Sequence, residues 1–98
     1  MSKQQAYSIY DSAAATYRQV YLFDREAEAK RFAIQLLTQQ ESDITRYPDD
    51  FSLCHIGEFD SSTGKFTPAD SIRVSIKFWE LRAELVNKEL QSDEIPTN

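Results

Sequence analysis

Cys54 and His55 are the one cysteine and the one histidine of the chain, and they are neighbours. Their adjacency raises the chemistry of a thiolate activated by an imidazole. The residues around them speak against it. Phe51 to Phe59 is an apolar run between the turn-formers Pro48, Asp49 and Asp50 and a second turn from Asp60 to Gly64. On a strand, consecutive side chains point to opposite faces, so the thiol and the imidazole diverge. The same alternation sends Phe51, Leu53, Gly57 and Phe59 one way and Cys54, Ile56 and Glu58 the other. Both faces then need cover, and a free cysteine in such a run behaves as a small core hydrophobe. A lone histidine also excludes His pairs and zinc sites of the usual Cys/His kinds. Glu58 with Asp60, and Asp49 with Asp50, offer oxygens to a hard cation, but neither pair has calcium-loop spacing. Gly57 and Gly64 are the only glycines and neither opens a helix, so there is no phosphate loop. No catalytic residue, metal or cofactor is expected.

Binding chemistry has one local argument. Arg18, Arg25, Lys30, Arg31 and Arg46 are interleaved with Tyr10, Tyr17, Tyr21 and Tyr47. Exposed tyrosines beside cations are what a single-strand platform uses for base stacking and phosphate contact. Eight Asp or Glu residues share that first half with six Lys or Arg. The plainer reading, tyrosines packed in a small sheet with solvated charges around it, stands beside the first.

These residues must be held by a small number of elements. Tyr7 to Asp11 alternates with β-formers and stops at a turn-prone Asp11-Ser12, and Thr16 to Phe23 is again rich in tyrosine and β-branched residues, so two strands are predicted. Asp24 has the features of a helix N-cap, with Glu26 and Glu28 in the positive first turn. The helix should run to about Gln40, with Ala29, Phe32, Ala33, Leu36 and Leu37 on the buried side. A polar connection from Glu41 to Arg46 leads to the Tyr47-Pro48 turn, the strand at 51–59, a hairpin loop ending at Gly64, and a brief return strand at 65–67.

The last third is ambiguous. Thr67 as N-cap, Pro68 at the first helical position and Asp70 where a capping box wants an acid mark a helix start. Ile72 to Phe78 nevertheless alternates like a strand. With no glycine or proline to divide it from the helical Trp79 to Leu90, one helix from Pro68 to about Gln91 is favoured, and the strand is the alternative. Such a helix carries two apolar stripes: Ile72, Ile76, Trp79, Ala83, Val86 and Leu90 on one side, and Val74, Phe78, Leu81 and Leu85 nearly opposite. At about 36 Å it overhangs a domain of this size. Val74, Phe78, Leu81 and Leu85, with Trp79, are therefore the expected interface of a homo-oligomer built on the C-terminal helix.

At 98 residues the chain makes one domain with one modest core. A net charge of −5 argues against a general nucleic-acid coat. A single cysteine cannot form an internal disulfide, which suits a reducing compartment. No window approaches the ~18 apolar residues of a membrane span, and residues 1–6 contain no apolar signal region. A cytosolic protein without membrane contact is expected. The fold expected is α+β: a small antiparallel sheet of three to four strands, one packed helix and a long C-terminal helix. The core should lie in residues 7–68, the helix in about 68–91, and a frayed tail in 92–98.

Several of these pieces in this order carry a resemblance. Ser8, Ile9, Tyr10 and Asp11, then Ala27 to Phe32, then Pro48 to Phe51, then Ile56 to Asp60 followed by Thr63 and Gly64 resemble the small non-structural protein of gokushovirus-type microviruses, single-stranded DNA bacteriophages. The likeness spans residues 7–68, and the stretch after Asp70 departs from the shorter ending of that family. It implies a non-enzymatic accessory of phage DNA replication and packaging, at work in the bacterial host cytoplasm. The partners it implies are replication or capsid proteins and, as a further candidate, single-stranded DNA. It carries no active-site residues. The rival class is an acidic oligomeric adaptor, or an inhibitor of a host protein, with no DNA contact.

Overall fold

The computed structural model describes residues 2–39 and 41–94. Four strands form one antiparallel sheet: β1 (Lys3–Asp11), β2 (Thr16–Phe23), β3 (Phe51–Asp60) and β4 (Lys65–Lys77), in the order β2-β1-β3-β4. The helices are α1 (Glu26–Thr38), the single turn α2 (Asp43–Arg46) and α3 (Phe78–Glu94), with a 3-10 turn at Pro48–Asp50 before β3.

The long C-terminal helix does not exist. Residues 68–77 continue β4, and the helix begins at Phe78 instead of Pro68. The physical reason is non-local. β3 is apolar on both sides and lies between two neighbours, so its second backbone edge needs a ladder partner. The β-branched alternation from Ile72 to Lys77 supplies it, pairing Cys54 with Val74 and Leu53 with Ile76. Pro68, read as a helix start, sits opposite Gly57 in an edge strand, where a missing N–H is tolerated. Ala69 to Ile72 fall in the register shift between His55 and Gly57, so the capping-box signal is absorbed by an irregularity in the strand. The two stripes are divided accordingly. Ile72, Val74 and Ile76 belong to β4, whereas Phe78, Leu81 and Leu85 face the core from α3. The Leu90 side chain and residues 95–98 lie outside the described residues.

One face of the sheet carries all three helices. Tyr7 and Ile9 of β1 and Phe51 and Leu53 of β3 pack with Ala29 and Ala33 of α1, Ile44 of α2, and Phe78 and Leu81 of α3. Small alanines on α1 let that helix approach closely, and Tyr21, Phe23, Leu36 and Leu37 close the margin. α1 is capped differently from expectation. Its N-cap is Arg25, without a side-chain bond, while the Glu28 carboxylate accepts from the Asp24 backbone N–H at 2.9 Å. α2 occupies what reads as polar connection. Ser42 and Thr45 cap it reciprocally, and it lets Ile44 into the core.

Strand alternation in β3 is interrupted once. Register shifts next to Ile56 against both neighbours put Gly57 on the face of Cys54, together with Phe59. The expected grouping of Gly57 and Phe59 with Leu53 is thus reversed, because a bulge displaces every later residue to the other face. Gly57 is required there: a Cβ would lie 2.6 Å from both the Thr67 carbonyl oxygen and the Phe66 ring Cζ.

Candidate interaction surfaces

Cys54 and His55 face opposite sides. Cys54 is 2% exposed, and burial pushes its thiol pKa up, so it is protonated and inert at neutral pH. The His55 ring meets Tyr7 edge-on at 5.3 Å, and its Nε2 lies 2.8 Å from Gln5 Oε1. The Gln5 amide donates on to Glu58 at 3.1 Å. His55 therefore closes the end of the core through a polar chain. Among the described residues, no cluster of three His, Cys, Asp or Glu side chains is placed to hold a metal ion.

The arginine and tyrosine residues are dispersed. Arg18 makes a two-point contact with Asp43 (2.6 and 3.3 Å), reaches Asp11 at 3.3 Å and lies 4.7 Å over the Phe51 ring. The Arg18 hydrogen bond holds the Asp43 carboxyl below its ordinary pKa. Tyr21 packs inward on Phe32 at 4.5 Å. Tyr10 and Tyr17 pair at 4.7 Å on the side of the sheet away from the helices. Arg25, Lys30 and Arg31 belong to the helical layer, where Lys30 pairs with Glu84 at 3.3 Å. Arg46 ends α2, and Tyr47 beside it is 59% exposed. The nine side chains do not share a face.

Of the five residues expected at an oligomer interface, Phe78 and Leu81 are buried in the protein's own core and Leu85 packs against it. Val74 and Trp79 remain about half exposed, but on different surfaces. Trp79 and Val86 lie on the outer side of α3, where with Arg82, Ala83, Pro48 and Asp49 they line an open depression of ≈ 410 Å³. Arg82 is fixed beside it by a 3.0 Å bond to the Thr45 carbonyl.

Val74 belongs to the second surface, the helix-free face of the sheet. Directly paired residues share a face, so the register sets its rows: Val20, Ser8, Cys54, Val74; Leu22, Ala6, Gly57, Pro68; and Tyr17, Tyr10, Ser52, Lys77. Phe66 lies over Gly57 at one end. Ala6, Ser8 and Cys54 are nearly inaccessible, being short side chains in the middle strands, while Tyr17, Val20, Leu22, Phe66 and Val74 on the outer strands stand 38–50% exposed. Sequence reading missed this surface. The signals were the alternating Val20 and Leu22 and the strand alternative for 72–78, but the sheet order that makes one face of them is not written locally.

Fold and surfaces together define a small single-sheet domain with two exposed apolar surfaces on opposite layers. The family model described as Phage ORF5 protein matches residues 4–79. The chain is also 38% identical over 74 residues to "Protein ORF5" of Chlamydia phage 1, an alignment covering 71% of this chain and 77% of that relative. It belongs to the Phage ORF5 family and is a bacteriophage protein, as the resemblance to the small gokushovirus-type microvirus protein implied. No solved structure matches it. The family match takes in the sheet from Gln4 onward and ends at the start of α3. Among the described residues, no helix is long and apolar enough to cross a membrane.

Proposed function

We propose that this protein is a non-enzymatic accessory of single-stranded DNA genome replication and packaging. It works in the host cytoplasm by binding a replication or capsid protein of the phage. The observation that carries this reading is the α3 surface, where a half-exposed Trp79 stands beside a positioned Arg82, Ala83 and Val86 over an open depression. Tryptophan and arginine are the residues that most often dominate protein interfaces, and a shallow apolar floor with a polar rim suits a protein partner. Direct DNA contact is the weaker form of the reading, because Arg18 is engaged with two acids, Tyr21 is turned inward, and Arg25, Lys30, Arg31 and Arg46 belong to the helical layer, opposite Tyr10 and Tyr17.

The test uses the purified full chain against purified replication-initiator and coat proteins of the phage, with nuclease present and absent. Binding that survives nuclease and falls at least tenfold in Trp79→Ala, with unchanged circular dichroism, supports the reading. Binding that requires nucleic acid, or that Trp79→Ala leaves intact, contradicts it.

A further inference from the structure

The helix-free sheet face is notable for what it carries. Of the residues that the register places on it, Lys77 alone is charged. The chain as a whole holds 27 charged residues, 11 basic and 16 acidic, so a face with one registered charge is depleted of them. A nucleic acid would find almost nothing here to neutralise its phosphates. Two copies of a chain with net charge −5 repel one another through their charged sides. On this face they would not.

Area points the same way. Four strands span about 20 Å across and their paired length is about 25 Å, which makes roughly 500 Å² of sheet face. Two copies laid face to face would then bury on the order of 1,000 Å², the lower bound for a specific interface. The accessible part of the face is presented by the outer strands, with Tyr17, Val20 and Leu22 on β2 and Phe66 and Val74 on β4, over the covered Ala6, Ser8 and Cys54 of the middle strands. A contact of this patch with itself is isologous and closes after two copies.

We propose that this face is a homodimer interface, two copies meeting sheet to sheet about a two-fold axis. The dimer is a sandwich with the helical layers outside, so each α3 surface remains open whichever phage component it meets. The inference is therefore independent of the function proposed above.

Sedimentation equilibrium of the full chain tests it, over about 10 to 500 µM, because an interface near the lower size limit is a micromolar or weaker one. The expected result is a reversible dimer whose affinity falls at least tenfold in Val74→Glu and in Val20→Glu, with circular dichroism and thermal midpoint near wild type. Trp79→Ala should dimerise as wild type does. A wild-type chain that stays monomeric across the range overturns the proposal, including one that instead binds a phage protein through Val74. A dimer lost in Trp79→Ala but kept in Val74→Glu overturns it too. Should the acidic variants fail to fold, Leu22→Gln replaces them; a folded Leu22→Gln chain that dimerises as wild type does is the contradicting result.

Discussion

Replacing Gly57 by alanine distinguishes the β4 register from every alternative course of the chain. A Cβ at this position meets the Thr67 carbonyl oxygen and Phe66 Cζ at 2.6 Å and Phe66 Cε1 at 3.0 Å. The Phe66 ring is 43% exposed and can swing aside. The Thr67 carbonyl cannot, because it belongs to the ladder in which Thr67 faces Glu58 and Pro68 faces Gly57. Relief therefore needs β4 to move by about half an ångström at the edge of the sheet. Overpacking of this kind costs about 1–3 kcal/mol, and contact with backbone places Gly57→Ala in the upper half of that range. Where no clash exists, the same substitution stabilises by about 0.4–1 kcal/mol through the unfolded chain, so the sign of the change is the readout. In urea, with a slope of about 1–3 kcal/mol per molar for a small protein, the midpoint should fall by roughly 1 M. A midpoint that stays or rises would refute the reasoning, since it would mean that Thr67 is not beside Gly57.

Three further outcomes follow from local chemistry. Ala15 is the one non-glycine residue with positive φ (56°) among the described residues, so Ala15→Gly should stabilise the chain by about 0.5–1 kcal/mol and raise the thermal midpoint by a few degrees. Asp43→Asn removes the two-point contact with Arg18; as both groups are roughly two-fifths exposed, solvent screening limits the loss at neutral pH to about 0.5–1 kcal/mol. Because the Asp43 pKa is depressed in the folded state, that stabilisation is present above its ordinary value of 3.8 and lost as pH falls below it, so the wild-type and variant stabilities should converge in acid. Cys54, buried and with its pKa raised, should resist iodoacetamide in the native protein at pH 7–8 and react once urea unfolds it, with mass spectrometry as the readout.

What could be read from the sequence was what local pattern decides. The tyrosine and β-branched run at Thr16–Phe23 is β2 to the residue, and the apolar side of α1 is the one that supplies Ala29 and Ala33 to the core. β1 begins earlier than its alternation suggested, because Lys3, Gln4 and Gln5 are polar and are held extended by Asp60, Phe59 and Glu58 across the ladder. The C-terminal third was misread for the same kind of reason in reverse. Thr67, Pro68 and Asp70 are strong local helix signals, and they lose to the pairing that β3 requires from sequence-distant residues. That error carried the candidate interface with it: Phe78 and Leu81 look like an outer stripe only on a helix that starts at Pro68, and in the protein they are core. The helix-free face was illegible for a further reason. Its rows join residues from all four strands, and the order β2-β1-β3-β4 follows from tertiary pairing alone.

The edge-strand course of residues 68–77 is the feature that removes the long helix, buries Phe78 and Leu81, and completes the helix-free face. Interstrand nuclear Overhauser contacts in the labelled full chain test it directly. Backbone contacts between Cys54 and Val74, and between Phe59 and Phe66, are the predicted result. Helical contacts between residues three apart from Asp70 to Lys77, with no cross-peaks to β3, would contradict it.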